Sequence, residues 1–335
     1  MNTLKSLRTT FLEELKSKVT ATEPAGLYDP VHYILDLGGK RLRPLLTLMS
    51  AEMYGATAKD AMNAAIAVEV FHNFTLLHDD IMDAADLRRG KETVHKKWDV
   101  NTGILTGDAM LIMAYRLFED YDKDKFYQLN KVFSRTALEV CEGQQHDVDF
   151  ETRDDVSVPE YLNMIKLKTS VLVGCALQMG AIIAGVDEKE QELIYDYGIN
   201  LGLAFQLMDD YLDAFGDPET FGKEVGGDIR ENKKTYLYLK SIENNDCATE
   251  LKEWFALHFE NMTEEQIDEK KETVKVFFEQ SGGAKATLDA IESYTQKALK
   301  NIEELSIAPE SKKQLTDFSL QLMGRKSLEH HHHHH

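Results

Sequence analysis

With 335 residues and 43% hydrophobic side chains, the chain can bury a large core, as one big domain or two ordinary ones. Its formal net charge of −20 argues against a bulk nucleic-acid surface, because a phosphate backbone requires clustered Lys and Arg. The three cysteines, Cys141, Cys175 and Cys247, are odd in number and lack CxxC spacing, which argues against a disulfide framework or a zinc site and fits a reducing cytoplasm.

Six prolines are few, β-branched alternation is scarce, and apolar residues recur at i, i+3 and i+4 almost throughout, so the chain reads as all-α. In chain order the pattern predicts helices over Thr3–Val19, Tyr28–Leu37, Pro44–Met53, Lys59–Ala85, Asn101–Tyr121, Asp124–Glu151, Val158–Gly185 and Lys189–Phe215, with several more in the carboxy-terminal third. No composition break forces a split and no solenoid period recurs, so residues 1–327 are expected to form a single domain. Residues 328–335, Leu-Glu followed by six histidines, are an expression tag. The first eighteen residues mix charges without a signal-type apolar region, and later apolar stretches are broken short of ~20 residues; a soluble protein with no stable membrane insertion is expected.

Charge is placed unevenly along these helices. Gly38-Gly39-Lys40-Arg41-Leu42-Arg43-Pro44 joins two helical segments, its glycines allowing a tight turn on which cations converge. Asp79-Asp80-Ile81-Met82-Asp83 ends a long apolar helix and is followed by Arg88-Arg89. About 130 residues later the pattern returns as Asp209-Asp210-Tyr211-Leu212-Asp213, again closing an apolar helix. A stretch rich in Gly and charge, Gly216 to Lys234, comes next and reads as a mobile lid with lysines able to descend on phosphate oxygens. Asp154-Asp155 and the Glu and Lys of the Glu264 to Lys271 run are expected to be solvated.

Residues four apart share a helix face, so Asp79 pairs with Asp83 and Asp209 with Asp213. Two carboxylates ~4 Å apart repel by ~4 kcal/mol at an effective dielectric near 20, and a cation is required between them. Hard divalent ions take oxygen ligands, and Mg²⁺ prefers one or two carboxylates, several waters and substrate phosphate oxygens. Facing clusters would therefore clamp a diphosphate. On the second helix Gly202, Gln206, Asp209 and Asp213 form a polar stripe, while Leu201, Phe205, Met208 and Leu212 form the packing face; His72, Leu76, Asp79 and Asp83 make the comparable stripe on the first.

GGKRLRP, HNFTLLHDDIMD, LRRG at Leu87 to Gly90, GLAFQLMDDYLD and GKEVGGD occur in that order, and the chain resembles the trans-isoprenyl diphosphate synthase family from Gly38 to Thr235, with Arg325 and Lys326 resembling its basic carboxy terminus. The resemblance implies a bundle of mostly antiparallel helices around a deep central cavity, a homodimer, and Mg²⁺-dependent condensation of isopentenyl diphosphate with an allylic diphosphate. It implies that Asp79, Asp83 and Asp209 bind three Mg²⁺ ions, with Mn²⁺ able to substitute, and that Asp80 and Asp213 support them. Arg88, Lys168, Lys223 and Lys233 would hold the allylic diphosphate, Lys233 being preferred over Lys234. Lys40, Arg43, His72 and Arg89 would bind isopentenyl diphosphate, and Thr169 and Gln206 would steady the carbocation. A proline frequent in the family near Leu237 is absent.

By the same resemblance an aromatic at Phe74, with Thr75 beside it, marks short-chain members, geranylgeranyl being favoured slightly over farnesyl diphosphate. Two other readings use the same features: a class I terpene cyclase, which has no need for GGKRLRP or a second full DDxxD, and a non-catalytic subunit of the same fold.

Overall fold

The computed structural model describes residues 3–221 and 224–324; Lys223, Arg325, Lys326 and the tag lie outside the described residues. The helices are α1 Leu4–Lys18, α2 Ala25–Asp36, α3 Leu42–Met53, α4 Ala58–Met82, α5 Val94–Lys97, α6 Val100–Arg116, α7 Lys123–Phe150, α8 Val158–Ile165, α9 Val171–Ala184, α10 Glu188–Phe215, α11 Pro218–Phe221, α12 Gly227–Arg230, α13 Tyr236–Ser241, α14 Asn245–Trp254, α15 Glu264–Gln280, α16 Gly283–Glu304 and α17 Pro309–Leu322. The only strands among the described residues are β1 Leu87–Arg88 and β2 Lys91–Glu92, an antiparallel pair. Arg89 and Gly90 turn the hairpin with φ of 52° and 75°, the positive values that tight two-residue hairpins demand. The all-α expectation holds.

Contacts divide the chain into two compact units that interleave in sequence. The first holds residues up to 138, 172–195 and 305–311; the second holds 139–171, 196–304 and 312 onward.

In the first unit α4 packs against α3 and α6. Its start is fixed by a capping box, Thr57 accepting from the Asp60 amide while Asp60 accepts from the Thr57 amide. Phe71 and Phe118 are fully buried around Phe133, with ring centroids 5.2 and 5.1 Å from it, and each such side chain contributes about 1.5–3 kcal/mol of burial. α4 ends at Met82, three residues before the predicted end, because Asp83 caps it and Ala84 turns left-handed at φ 52°.

In the second unit α13 packs on α16 and α15, and α15 buries Ile267, Val274 and Phe278. Lys270 shares that stripe and is wholly buried, which corrects the expectation of a solvated side chain at that position, whereas Glu264, Glu265 and Glu269 of the same run are exposed as expected. The single helix expected over Val158–Gly185 is interrupted by a π-helical turn at Lys166–Ser170. Val158–Ala184 is long and apolar enough to cross a membrane, yet 78% of its apolar window is buried inside the protein.

Candidate active site: two charged clusters

The last turn of α4 separates the roles of its three aspartates. Asp83 donates its backbone N–H to the Asp79 carbonyl at 2.8 Å, which keeps the two on one helical face, Asp79 half-buried and Asp83 exposed. Asp80 points the other way and is 6% exposed. Arg88, carried on the hairpin, donates Nε and Nη2 to its two carboxylate oxygens, both at 2.8 Å. Such a fork is the strong, geometrically specific form of ion pair.

The GGKRLRP turn folds against the same helix. Arg41 adopts φ 55°, is buried, and donates Nη1 to Glu69 of α4 at 2.9 Å and Nη2 to the Leu35 carbonyl at 2.6 Å. This anchor carries Arg43 to His72, where Nη1 lies 3.4 Å from Nε2. Arg89 donates Nη1 to the Gly38 carbonyl, and Arg8 of α1 donates to the Gly39 carbonyl at 2.9 Å. Only glycine fits at 39: φ is +125°, and a Cβ there would sit 2.6 Å from the Arg89 guanidinium nitrogens. Burial, then Arg43, Arg88, Arg89 and Arg41 in that order, holds the His72 imidazole well below its usual range and so neutral. Burial and the neighbouring Arg88 and Arg41 depress Arg89. An acidic protein thus concentrates guanidinium charge on one neutral, hydrogen-bonding ring.

Lys40 is exposed beside this group. Thr75 donates Oγ1 to the His72 carbonyl at 2.6 Å. Phe74 is 8% exposed, its ring centroid 5.6 Å from that of Phe71 and 4.8 Å from that of His78.

The second unit gathers the remaining residues around the π turn. A Cβ on Gly143 of α7 would lie 2.5 Å from the Lys168 backbone N, and one on Gly202 of α10 would lie 2.8 Å from Ser170 Cα. The two glycines let both helices close on the turn, whose extra residue re-aims Lys168 and Thr169. Lys168 Nζ donates to Asp147 at 2.6 Å, and Thr169 Oγ1 lies 3.4 Å from Gln206 Oε1. Gln206 Nε2 donates to Asp210 at 3.1 Å, and the Tyr161 hydroxyl donates to the other oxygen of that carboxyl. Burial first, then the charge of Asp228, drives Asp210 well above the usual carboxylate range, and burial with Asp210 keeps the Tyr161 proton in place.

Asp209 and Asp213 are half-buried on their own stripe. Asp213 accepts the Asp228 amide at 2.9 Å on its side chain and the Gly226 amide at 2.5 Å on its carbonyl, so the motif itself organises the start of α12. Lys233 is exposed, while Lys234 donates to the Arg153 carbonyl at 2.8 Å and to Asp154 at 3.2 Å. Asp154 and Asp155 are exposed, as expected, but both are paired, Asp155 with Arg153 at 2.9 Å. Among the described residues no three His, Cys, Asp or Glu side chains meet in a ready-made metal cage.

Arg8, Glu69, Asp147, Tyr161 and Asp228 are not singled out by the sequence, and Arg41 and Asp210 stand in its motifs without an assigned role. Glu69 carried a usable signal, since an acid inside the run AAIAVEVF requires a buried cation partner. Tyr161 and Asp147 carried none, because their partners, Asp210 and Lys168, lie 49 and 21 positions away.

The polyprenyl synthetase family model matches residues 24–276. The geranylgeranyl pyrophosphate synthase of Geoglobus acetivorans is 36% identical over 299 residues, covering 89% of this chain and 90% of its own. Its solved structure aligns with a TM-score of 0.85 and 34% identity, over 96% of this chain and 99% of that one. The geranylfarnesyl diphosphate synthase of Natronomonas pharaonis is 38% identical over 245 residues, 68% of this chain and 72% of its own. A geranylgeranyl pyrophosphate synthase from Corynebacterium glutamicum, complexed with isoprenyl diphosphate and magnesium, aligns with a TM-score of 0.87 and 25% identity, over 97% of this chain and all of that one (100%). The chain belongs to the polyprenyl synthetase family and is a trans-prenyltransferase of its short-chain type, with the all-α isoprenoid synthase fold.

Proposed function

We propose that the protein condenses isopentenyl diphosphate head-to-tail with an allylic diphosphate in a Mg²⁺-dependent reaction, and that one catalytic domain does so by gripping the two diphosphates at different places. The observation that carries this reading is the Arg43–His72 contact at 3.4 Å beside the first aspartate motif, with Arg41, Arg88 and Arg89 near enough that their charge helps to keep the imidazole neutral. Guanidinium groups and a neutral imidazole suit a phosphate, to which Arg offers paired N–H donors and His a single hydrogen bond. Lys40, Arg43, His72 and Arg89 would hold isopentenyl diphosphate; Arg88, Lys168, Lys223 and Lys233 would hold the allylic partner.

The donor set suits a hard divalent ion. Asp79, Asp83 and Asp209 are oxygen donors with no thiol or imidazole among them, and Asp80 and Asp213 are already tied to Arg88 and to the Asp228 amide, as supports would be. When bound, Mg²⁺ would neutralise charge growing on the leaving diphosphate. The protein's own part is electrostatic and positional: lysines and arginines would take the same developing charge, and Gln206, whose Nε2 donates to Asp210 and whose Oε1 accepts from Thr169, would offer its oriented amide dipole to an electron-poor carbon. The released proton passes to the departing diphosphate, so no side-chain base is required.

The product is read as geranylgeranyl diphosphate ahead of farnesyl, with Phe74 and Thr75 setting tail length. Three reduced cysteines suit the cytoplasm, and a homodimer is the assembly read from the family. Incubation with geranyl diphosphate, with and without isopentenyl diphosphate, tests the reading. Longer prenyl diphosphates formed only when both are present support it; consumption of geranyl diphosphate alone, giving hydrocarbon, would indicate a cyclase.

A further inference from the structure

Lys270 is the one lysine whose side chain belongs to the largest fully buried group in the described chain. Its ammonium meets only neutral partners among the described residues. Nζ donates to Asn232 Oδ1 and, at 3.0 Å, to the Leu257 carbonyl, and it lies 5.8 Å from the Phe255 ring centroid. Asn232 closes the triangle by donating Nδ2 to the same Leu257 carbonyl at 2.9 Å. Burial lowers the ammonium pKa to about 8, the mark of a charge placed without a counter-ion.

Asn232 is the residue that follows the Glu231 C-cap of α12. Its φ is 62°, its N–H reaches the Ile229 carbonyl at 3.1 Å, and the next N–H, that of Lys233, reaches the Asp228 carbonyl at 2.8 Å. Those two bonds define a Schellman stop, in which the left-handed residue is usually glycine. Here an asparagine takes the place, and its side chain is bolted to α15 through Lys270. The other end of α12 is held by Asp213, which accepts the Asp228 amide at 2.9 Å. A four-residue helix is therefore clamped between the second aspartate motif and a buried lysine, and the first residue to leave the clamp is Lys233.

We infer that Lys270 is a positioning residue for the allylic diphosphate: through Asn232 it fixes the left-handed stop of α12 and thereby the direction in which Lys233 leaves the chain. This rests on the reading of Lys233 as a diphosphate-binding cation. It gives the carboxy-terminal third of the chain a part in substrate binding.

The test compares wild type with Lys270→Met, Asn232→Gly, Lys233→Ala and the double variant Lys270→Met/Lys233→Ala, all as full chains. Inorganic pyrophosphate with Mg²⁺ is titrated calorimetrically, and KM is measured separately for geranyl and isopentenyl diphosphate. Lys270→Met should weaken pyrophosphate and raise KM for geranyl diphosphate about tenfold, with KM for isopentenyl diphosphate unchanged. Asn232→Gly, which keeps the left-handed backbone but removes the acceptor, should do the same more weakly, and it carries the test if Lys270→Met does not fold. In the Lys233→Ala background Lys270→Met should add nothing. Independent, additive effects, or an unchanged geranyl diphosphate KM in Lys270→Met, would overturn the inference. If Lys233→Ala alone leaves pyrophosphate binding intact, the inference falls with the role of Lys233. Absent turnover in wild type, with the pyrophosphate pattern preserved, would count against the condensation reading and leave the positioning role supported.

Discussion

Arg88 and Asp80 are joined by two parallel hydrogen bonds of 2.8 Å, so the middle aspartate of the first motif is spoken for by a guanidinium on the following hairpin. Lysine keeps the charge but offers no fork, and Asp80 would be left buried with at most one partner. Arg88→Lys should therefore lower the unfolding free energy by about 1–3 kcal/mol, read by urea denaturation. An unchanged midpoint would mean that the pair adds nothing to the fold.

Two glycines test the two clusters separately. At Gly39 a methyl group would press on Arg89 and a positive φ would be strained, so Gly39→Ala should raise KM for isopentenyl diphosphate while leaving that for geranyl diphosphate near wild type. At Gly202 the same methyl would push on Ser170 and displace the π turn, so Gly202→Ala should lower kcat by about a hundredfold with KM for isopentenyl diphosphate unaffected. Steady-state kinetics with each substrate varied in turn reads both.

Phe74 packs between Phe71 and His78 at the base of the first motif. Phe74→Ala should cost about 3–5 kcal/mol of stability through the cavity it leaves, and should lengthen the product by at least one isoprene unit. Chromatography of the products decides the second point; an unchanged length would place the floor of the cavity elsewhere.

Lys270 also makes a pH signature. Its ammonium titrates near 8 when folded and at about 10.4 when unfolded, so between those values the unfolded chain binds more protons and stability rises with pH. Wild type should gain unfolding free energy relative to Lys270→Met between pH 8 and pH 10, measured by denaturant titrations at each pH. A constant difference would show that the lysine is not desolvated.

Much of this was legible in the sequence because it is local. Helical period gave α4 and α10, the four-residue spacing put Asp79 with Asp83 and Asp209 with Asp213, and Gly38-Gly39 announced a tight turn. What was not legible depends on contacts remote in sequence. Nothing around Lys166 marks a π turn; it exists because Gly143 and Gly202 close on it from other helices. Lys270 reads as one more charge in a run of Glu and Lys, and only packing against Asn232 and Leu257 gives it a partner. Lys234 sits beside Lys233 with identical chemistry, and nothing local in the sequence shows that Lys234 reaches the Arg153 carbonyl and Asp154, some 80 positions earlier.

The most direct measurement is anomalous diffraction from crystals grown with Mn²⁺ and inorganic pyrophosphate. Ions bound to Asp79 and Asp83 and an ion bound to Asp209, all sharing oxygens of one pyrophosphate, is the result expected if both motifs grip a single leaving group. Manganese on only one motif, or pyrophosphate touching neither, would contradict it.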